Sequence, residues 1–358
     1  CFINKRIKFI MAYTTINKSG DYFNTKLYTG NGGTQTITGV GFQSDFTWFK
    51  SRSAANSHSL LDSIRGLGYA LSSNLDGAQI AVATQTFNSD GYVLANDGGA
   101  PSVNPNGVTT AAWNWKANGT GVANTDGDIA STVSANTTSG FSIVTFTGNE
   151  TVDSTVGHGL GAIPKMIIVK GTSFSAPWIV YHHSIGNSNY LRLNTTDAEA
   201  TANGMWSNTT PTNSVFTLGT DSWGNNNGQS LIAYCFADVQ GFSKIGSYTG
   251  NGSSDGTFCY TGMKPSWVLI KQTNSAGNDW WIYDNKRDTF NLATHGLRPN
   301  ISNAEVNYSA TDTMNLDLLS NGFKIKSTDG ALNGNGSSYI YMAFAEAPLV
   351  GSNNVPCT

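Results

Sequence analysis

The chain has 358 residues, of which only 12% are charged, with a formal net charge of −3 and 40 glycines. That balance argues against a nucleic-acid groove, which needs a basic face. With 9 Trp, 14 Tyr and 17 Phe the chain is also too aromatic and too weakly charged to be disordered. Polar, Gly-rich turns between short β-branched and aromatic runs predict an all-β protein. No apolar run approaches the length of a membrane span, so membrane insertion is not expected.

In chain order, the basic stretch Lys5-Arg6-Ile7-Lys8 lies in an N-terminal extension over 1–12. It is read as upstream sequence ahead of an ordinary start at Met11, because no apolar core long enough for a signal peptide follows it. Residues 13–118 are the first of three copies of one pattern. Residues 119–139, almost wholly Gly, Ala, Asn, Thr, Ser and Asp, read as a linker. The second copy covers 140–240, the third 241–348, and 349–358 form a polar tail.

The copies share landmarks in one order. Tyr28-Thr29-Gly30-Asn31-Gly32 recurs as Phe146-Thr147-Gly148-Asn149 and as Tyr248-Thr249-Gly250-Asn251-Gly252. Apolar runs end at Lys50, Lys170 and Lys271, 120 and 101 residues apart. Asp62, His182 and Asp284 follow, then Leu71 to Asn74, Leu191 to Asn194 and Leu297 to Asn300. Each copy closes on an apolar strand ending at Ala117, Ala237 and Ala345, 120 and 108 residues apart. A feature that recurs three times is scaffold first. Runs such as Phe141-Ser142-Ile143-Val144-Thr145-Phe146 alternate as half-buried strands do, and Asn-Gly and Gly-Asn pairs supply hairpin turns. Tyr339 to Phe344 is apolar on both faces, as a central sandwich strand is. Short helices are expected over 197–205 and 302–307. The fold class predicted is three tandem antiparallel β-sandwich domains of jelly-roll or concanavalin-like type, each with its own core.

Motifs for chemistry are sparse. A glucanase-like sandwich needs neighbouring carboxylates on a strand, yet of the four glutamates, Glu150, Glu199, Glu305 and Glu346, only Glu199 has an Asp or Glu within two residues, Asp197, and that pair lies in a stretch read as a short helix. Asn124 to Asp128 resembles a calcium loop without its closing glutamate. Gly252-Ser253-Ser254-Asp255-Gly256 fits G-x-S-x-G but leads into a strand rather than a helix. Gly157-His158-Gly159 sits where the third copy has Tyr260-Thr261-Gly262, so it reads as a turn. His182 and His183, adjacent on a strand, point to opposite faces and do not share a metal easily. Among Cys1, Cys235, Cys259 and Cys357 there is no C-x-x-C pair, which leaves a Cys235–Cys259 bridge open. No catalytic residue, metal or cofactor is therefore expected. Trp48 and Trp267, on equivalent strands, read as core, as do Trp178 and Trp281, which align with each other. Trp206 and Trp223 lie in polar loops of the second copy. With Asn225 they are the candidate ligand-binding residues, since loop tryptophans stack on sugar rings while Asn bonds hydroxyls.

The stretch His158 to Lys170, its partner Gly262 to Lys271, and the ending Tyr341-Met342-Ala343-Phe344-Ala345-Glu346-Ala347-Pro348 resemble a repeat module of tailed-bacteriophage virion proteins, especially marine ones. Such proteins are tail-fibre or other virion components with concanavalin-like sandwiches. The first copy departs from the module, lacking the proline before its apolar run. The resemblance implies a non-enzymatic virion structural protein in a tail fibre, spike or head appendage, located in the phage particle. Its partners would be other virion proteins, further copies of itself in a homo-oligomer such as a trimer, and a host-surface glycan. The alternatives carried beside it are a carbohydrate-binding, lectin-like protein and, below that, a glycan depolymerase. A bacterial adhesin would share the composition.

Overall fold

The structure, a computed structural model, describes residues 12–83, 85–95, 103–311, 313–353 and 355–356. Most of the N-terminal extension, together with Cys1 and Cys357, lies outside the described residues. Each copy is built on four antiparallel strands in the same spatial order. In the first copy this order is Phe23–Thr29, Thr109–Trp115, Phe46–Ser51, Ser59–Asp62. The second has Phe141–Thr147, Ser230–Phe236, Met166–Gly171, Ile179–His182. The third has Ser243–Thr249, Ser338–Pro348, Met263–Gln272, Trp281–Asp284. A smaller outer sheet covers one face of each, so every copy is a two-sheet sandwich. Outer strands of the three copies include Gln35–Thr38, Ser154–Gly157 and Phe258–Tyr260.

The copies are not three separate domains. Strands alternate their side chains between two faces, and in the principal sheets both faces are apolar and buried. One face packs within the copy: Phe49, Leu61 and Ala112 meet Ile37, Tyr92 and Leu94 of the outer sheet. The opposite face, with Phe46, Trp48, Trp113 and Trp115, enters a single core shared with Ile168, Trp178 and Phe236 of the second copy and Trp267, Leu269 and Phe344 of the third. At its centre three equivalent side chains form a triangle. Ring centroids lie 6.4 Å apart for Trp115–Phe236, 5.6 Å for Trp115–Phe344 and 6.1 Å for Phe236–Phe344. The molecule is one body with pseudo-threefold symmetry.

Ladder register corrects two sequence alignments. Phe46 faces Trp115, Met166 faces Phe236 and Trp267 faces Phe344. The counterpart of Ala237 and Ala345 is therefore Lys116 and not Ala117. Trp178 corresponds to Trp280, since each donates its backbone N–H to the Asn that follows, Asn194 or Asn300, at 3.0 Å. Trp281 faces its own copy's sandwich core instead.

The linker expected over 119–139 is also corrected. Val122–Asn124 and Ser131–Asn136 are strands that extend the second copy's sheet, the latter pairing with Phe141–Thr147. Ile129 and Val133 are buried in that copy's core. Small hydroxyl residues between them hid the alternation. Of the expected helices, 197–205 reduces to Asn203–Trp206 and 302–307 is not helical, with Val306–Asn307 pairing to His295–Gly296. Two unexpected helical turns, Ser222–Asn225 and Gly330–Asn333, are capped by the side chains of Asp221 and Asp329. Cys235 and Cys259 are free and buried in different sandwiches. Among the described residues no helix is long and apolar enough to cross a membrane.

Candidate functional site

The repeated polar landmarks fasten the copies to one another. Lys50, Lys170 and Lys271 are buried on the central faces, and each ammonium donates to a carbonyl of the preceding copy: Ser302 O at 3.0 Å, Asp76 O at 3.0 Å and Thr196 O at 3.4 Å. Each also donates to a carbonyl of its own copy at 2.9 Å. Burial pulls all three lysines down to about 8. The His58 Nε2–H and the indoles of Trp178 and Trp280 repeat the same directed contact, to Arg298 O, Ser72 O and Arg192 O at 3.0, 2.9 and 3.0 Å. Copy two thus holds copy one, copy three holds copy two, and copy one closes the ring on copy three.

The Asp62, His182 and Asp284 positions complete each seam. Tyr234 donates its hydroxyl to Asp62 at 2.9 Å, and Trp113 donates its indole N–H to Asp284 at 3.0 Å. In the second copy the facing residue is Met342, which has no proton to donate, and the carboxylate is replaced by His182. That imidazole lies 3.4 Å from Tyr341 O. Arg65 and Arg287 neutralise Asp62 and Asp284 at 2.6 Å, while the second copy has apolar Ile185 at that place. At the closing seam Glu305 takes both Arg52 and Arg287, at 2.7 and 2.9 Å. Burial would raise its carboxyl, but the two guanidiniums overcome this and hold it below the usual range.

These histidines set a pH dependence. The His58 Nδ1 accepts from Trp48, the His158 Nδ1 from Leu160 N and the His182 Nδ1 from Ser184 N, which leaves Nε2 of each to carry the proton. Burial lowers all three, His182 to about 3 with its neighbour His183 contributing. Unfolded histidine titrates near 6.5, so the unfolded chain binds more protons below that pH. The histidine contribution to stability is therefore full above about pH 6.5 and is lost as pH falls towards 3. Unfolding free energies from urea titrations should decline between pH 7.5 and 4. A flat profile would contradict the assignment of buried neutral imidazoles.

The loop-tryptophan site does not assemble. Trp206 is 1% exposed and packs on Tyr181 inside the second sandwich. Its helical turn carries Met205 and Trp206 inward because their apolar area outweighs the polar loop around them. Asn225 is also 1% exposed. Its amide donates to Asn149 Oδ1, Thr151 O and Gly219 O, and its carbonyl accepts from Asn149 N at 2.9 Å. Asn333 does the same for Asn251, and Asn104 for Asn31, so all three clamp the repeated Thr-Gly-Asn turn. Trp223 is half-buried, with Arg192 5.8 Å over its ring and Tyr190 at 6.4 Å. Of the three predicted residues it alone reaches the surface.

The other motifs also have local partners. Asp126 and Asp128 are held by Asn124 and Thr155, and among the described residues no group of three or more His, Cys, Asp or Glu side chains could hold a metal. The Gly252 to Gly256 segment is a turn in which Asn251 and Ser253 cap following backbone N–H groups, and Asp255 pairs with Lys324 at 2.5 Å.

Two clefts open at seams. One of about 480 Å³ lies between the first and second copies, over Arg65, Gln79, Ser131, Thr145 and Ser230. The other, of about 410 Å³, lies beside the start of the third copy and is lined by Tyr13, Asp238, Gln240, Lys244, Tyr260 and Thr261. Sequence reasoning missed this second cleft, although aligning Tyr260 with Gly157 held the signal: an aromatic where the scaffold needs none.

A family model for a domain of unknown function, DUF7483, matches residues 18–348. The chain belongs to the DUF7483 family. That match spans all three copies, in keeping with a single body closed by seams between the first and the third. No curated protein matches the chain, and no solved structure does.

Proposed function

We propose that the protein is a non-enzymatic structural component of a phage particle, a tail fibre, spike or head appendage that works beside other virion proteins and further copies of itself. The observation that carries this reading is the closed ring of seams. Buried lysines, histidines and carboxylates, the residues from which catalytic sites are commonly built, are here bonded across copy boundaries and hold the body together. The resemblance of its repeat to virion modules supports the same reading, as does a surface made soluble by amides and hydroxyls rather than charge. Immunoelectron microscopy of particles from cultures carrying this gene, with antibody to the full chain, should label appendages of the particle. Label confined to cell envelopes or to the medium would overturn it.

A second reading, a carbohydrate-binding protein, is favoured by aromatic rings exposed on the third copy, with Phe258 42% and Tyr260 56% exposed. It is compatible with the first, since an attachment component has to contact a host surface.

A further inference from the structure

The three copies act as internal controls for one another. On the outer sheets Ile37, Val156 and Cys259 are equivalent: each is buried and pairs with an aromatic of the neighbouring strand, Tyr92, Phe216 and Phe323 respectively. Their flanking residues point the other way. Those flanks are Thr36 and Thr38 in the first copy and Thr155 and Gly157 in the second, so the scaffold asks for nothing apolar there. The third copy places Phe258 and Tyr260 at these positions, and leaves both exposed. Exposed aromatics two residues apart stand on one face, roughly 6.6 Å apart along the strand.

Tyr260 forms one wall of the 410 Å³ cleft, where polar groups converge. The Tyr13 phenol donates to Gly262 O at 2.8 Å and lies within hydrogen-bonding reach of the Tyr260 and Gln240 side chains. Gly262 has φ +71°, and a Cβ there would come within 2.6 Å of the Tyr13 hydroxyl. Glycine therefore keeps the floor open. Lys244 and Asp238 neutralise each other at 2.5 Å. The cleft thus combines aromatic faces, a phenol and an amide with a self-paired ion pair.

We infer that Phe258, Tyr260 and the adjoining cleft bind a neutral polysaccharide, with pyranose rings lying on the aromatic faces and hydroxyls bonded by Tyr13, Gln240 and the Asp238–Lys244 pair. A sugar ring has one apolar C–H face and a polar rim, which matches an aromatic platform beside neutral donors and acceptors. A phosphate or sulfate chain would need unpaired cations, and the cleft's lysine is engaged by Asp238. This assignment deepens the host-contact part of the proposed function and rests on that reading for its biological setting alone.

Affinity electrophoresis of the full chain in native gels containing laminarin, dextran or yeast mannan tests it, with heparin as the polyanion control. At least one neutral polymer should retard the protein. Tyr260→Ala and Phe258→Ala should each weaken that retardation at least tenfold, while Thr36→Ala and Thr38→Ala, at the equivalent places of the first copy, should leave it unchanged. Circular dichroism checks that every variant is folded. Retardation by none of the neutral polymers, retardation by heparin alone, or retardation that Tyr260→Ala does not alter would each overturn the site. The two proposals fail separately. Label on particles with no polysaccharide binding removes the site and keeps the virion reading, whereas Tyr260-dependent binding without label on particles does the reverse.

Discussion

Trp115→Ala is expected to destabilise the whole molecule by about 3–5 kcal/mol, the cost of emptying a large aromatic site in a close-packed interior. The reason lies in its neighbours. The Trp115 ring sits 4.9 Å from Phe23 and 5.2 Å from Phe46 in its own copy, 6.4 Å from Phe236 in the second, and 5.6 Å from both Trp267 and Phe344 in the third. A cavity at the pseudo-threefold axis cannot be filled by relaxation of one copy alone, since every wall belongs to a sheet already fixed by its seams. Trp223→Ala, half-buried at the periphery, should cost roughly 1 kcal/mol, in the range of ordinary single substitutions. Urea unfolding followed by fluorescence and circular dichroism compares the two. A loss below about 1 kcal/mol for Trp115→Ala would show that the copies do not depend on a common centre.

The second large effect concerns the copy as a unit. Residues 119–240 expressed alone, with their edge strands included, are expected not to fold as a soluble monomer. Eleven buried apolar residues of this copy belong to the shared core, among them Phe141, Met166, Trp178, Tyr234 and Phe236. At roughly 1.5–3 kcal/mol for each fully buried large apolar side chain, exposing them outweighs the ~5–15 kcal/mol by which a domain is usually stable. The isolated copy would also leave Lys170 without Asp76 O and the Trp178 indole without Ser72 O. Size-exclusion chromatography and a proton–nitrogen correlation spectrum decide the matter. A monomeric elution with well-dispersed peaks would refute the dependence.

The sequence carried the strands, the turns and the threefold repeat, because these are local: alternation, Asn-Gly pairs and recurrent landmarks need no distant partner to be legible. It also carried the key to the shared core. Tyr339 to Phe344 is apolar on both faces, but both a central strand of one sandwich and a strand between two cores fit that pattern. The seams decide between them, and the residues that make them, such as Lys50 and Ser302, lie far apart in the chain. The strand Ser131–Asn136 was obscured for a different reason, since Ser, Thr and Ala fill its alternate positions and lower its contrast. Of the candidate site, Trp206 and Asn225 looked like loop residues because their neighbours are polar. Burial of a single helical turn is decided by Met205 and Trp206 themselves. Tyr260 was visible in the repeat alignment, but it carries information only when its outward direction is known.

The seams also bear on how such a body can change over time. In an assembly of three identical subunits one sequence must supply both sides of every junction, so a donor cannot be lost without losing all three. Joined in one polypeptide, each junction is free to vary alone. Two have a carboxylate opposite a proton donor, Asp62 with Tyr234 and Asp284 with Trp113, while the third differs on both sides, with His182 and Met342. The same freedom applies to the outside. Phe258 and Tyr260 stand on one face of three, where subunits encoded by a single short gene would display them three times or not at all.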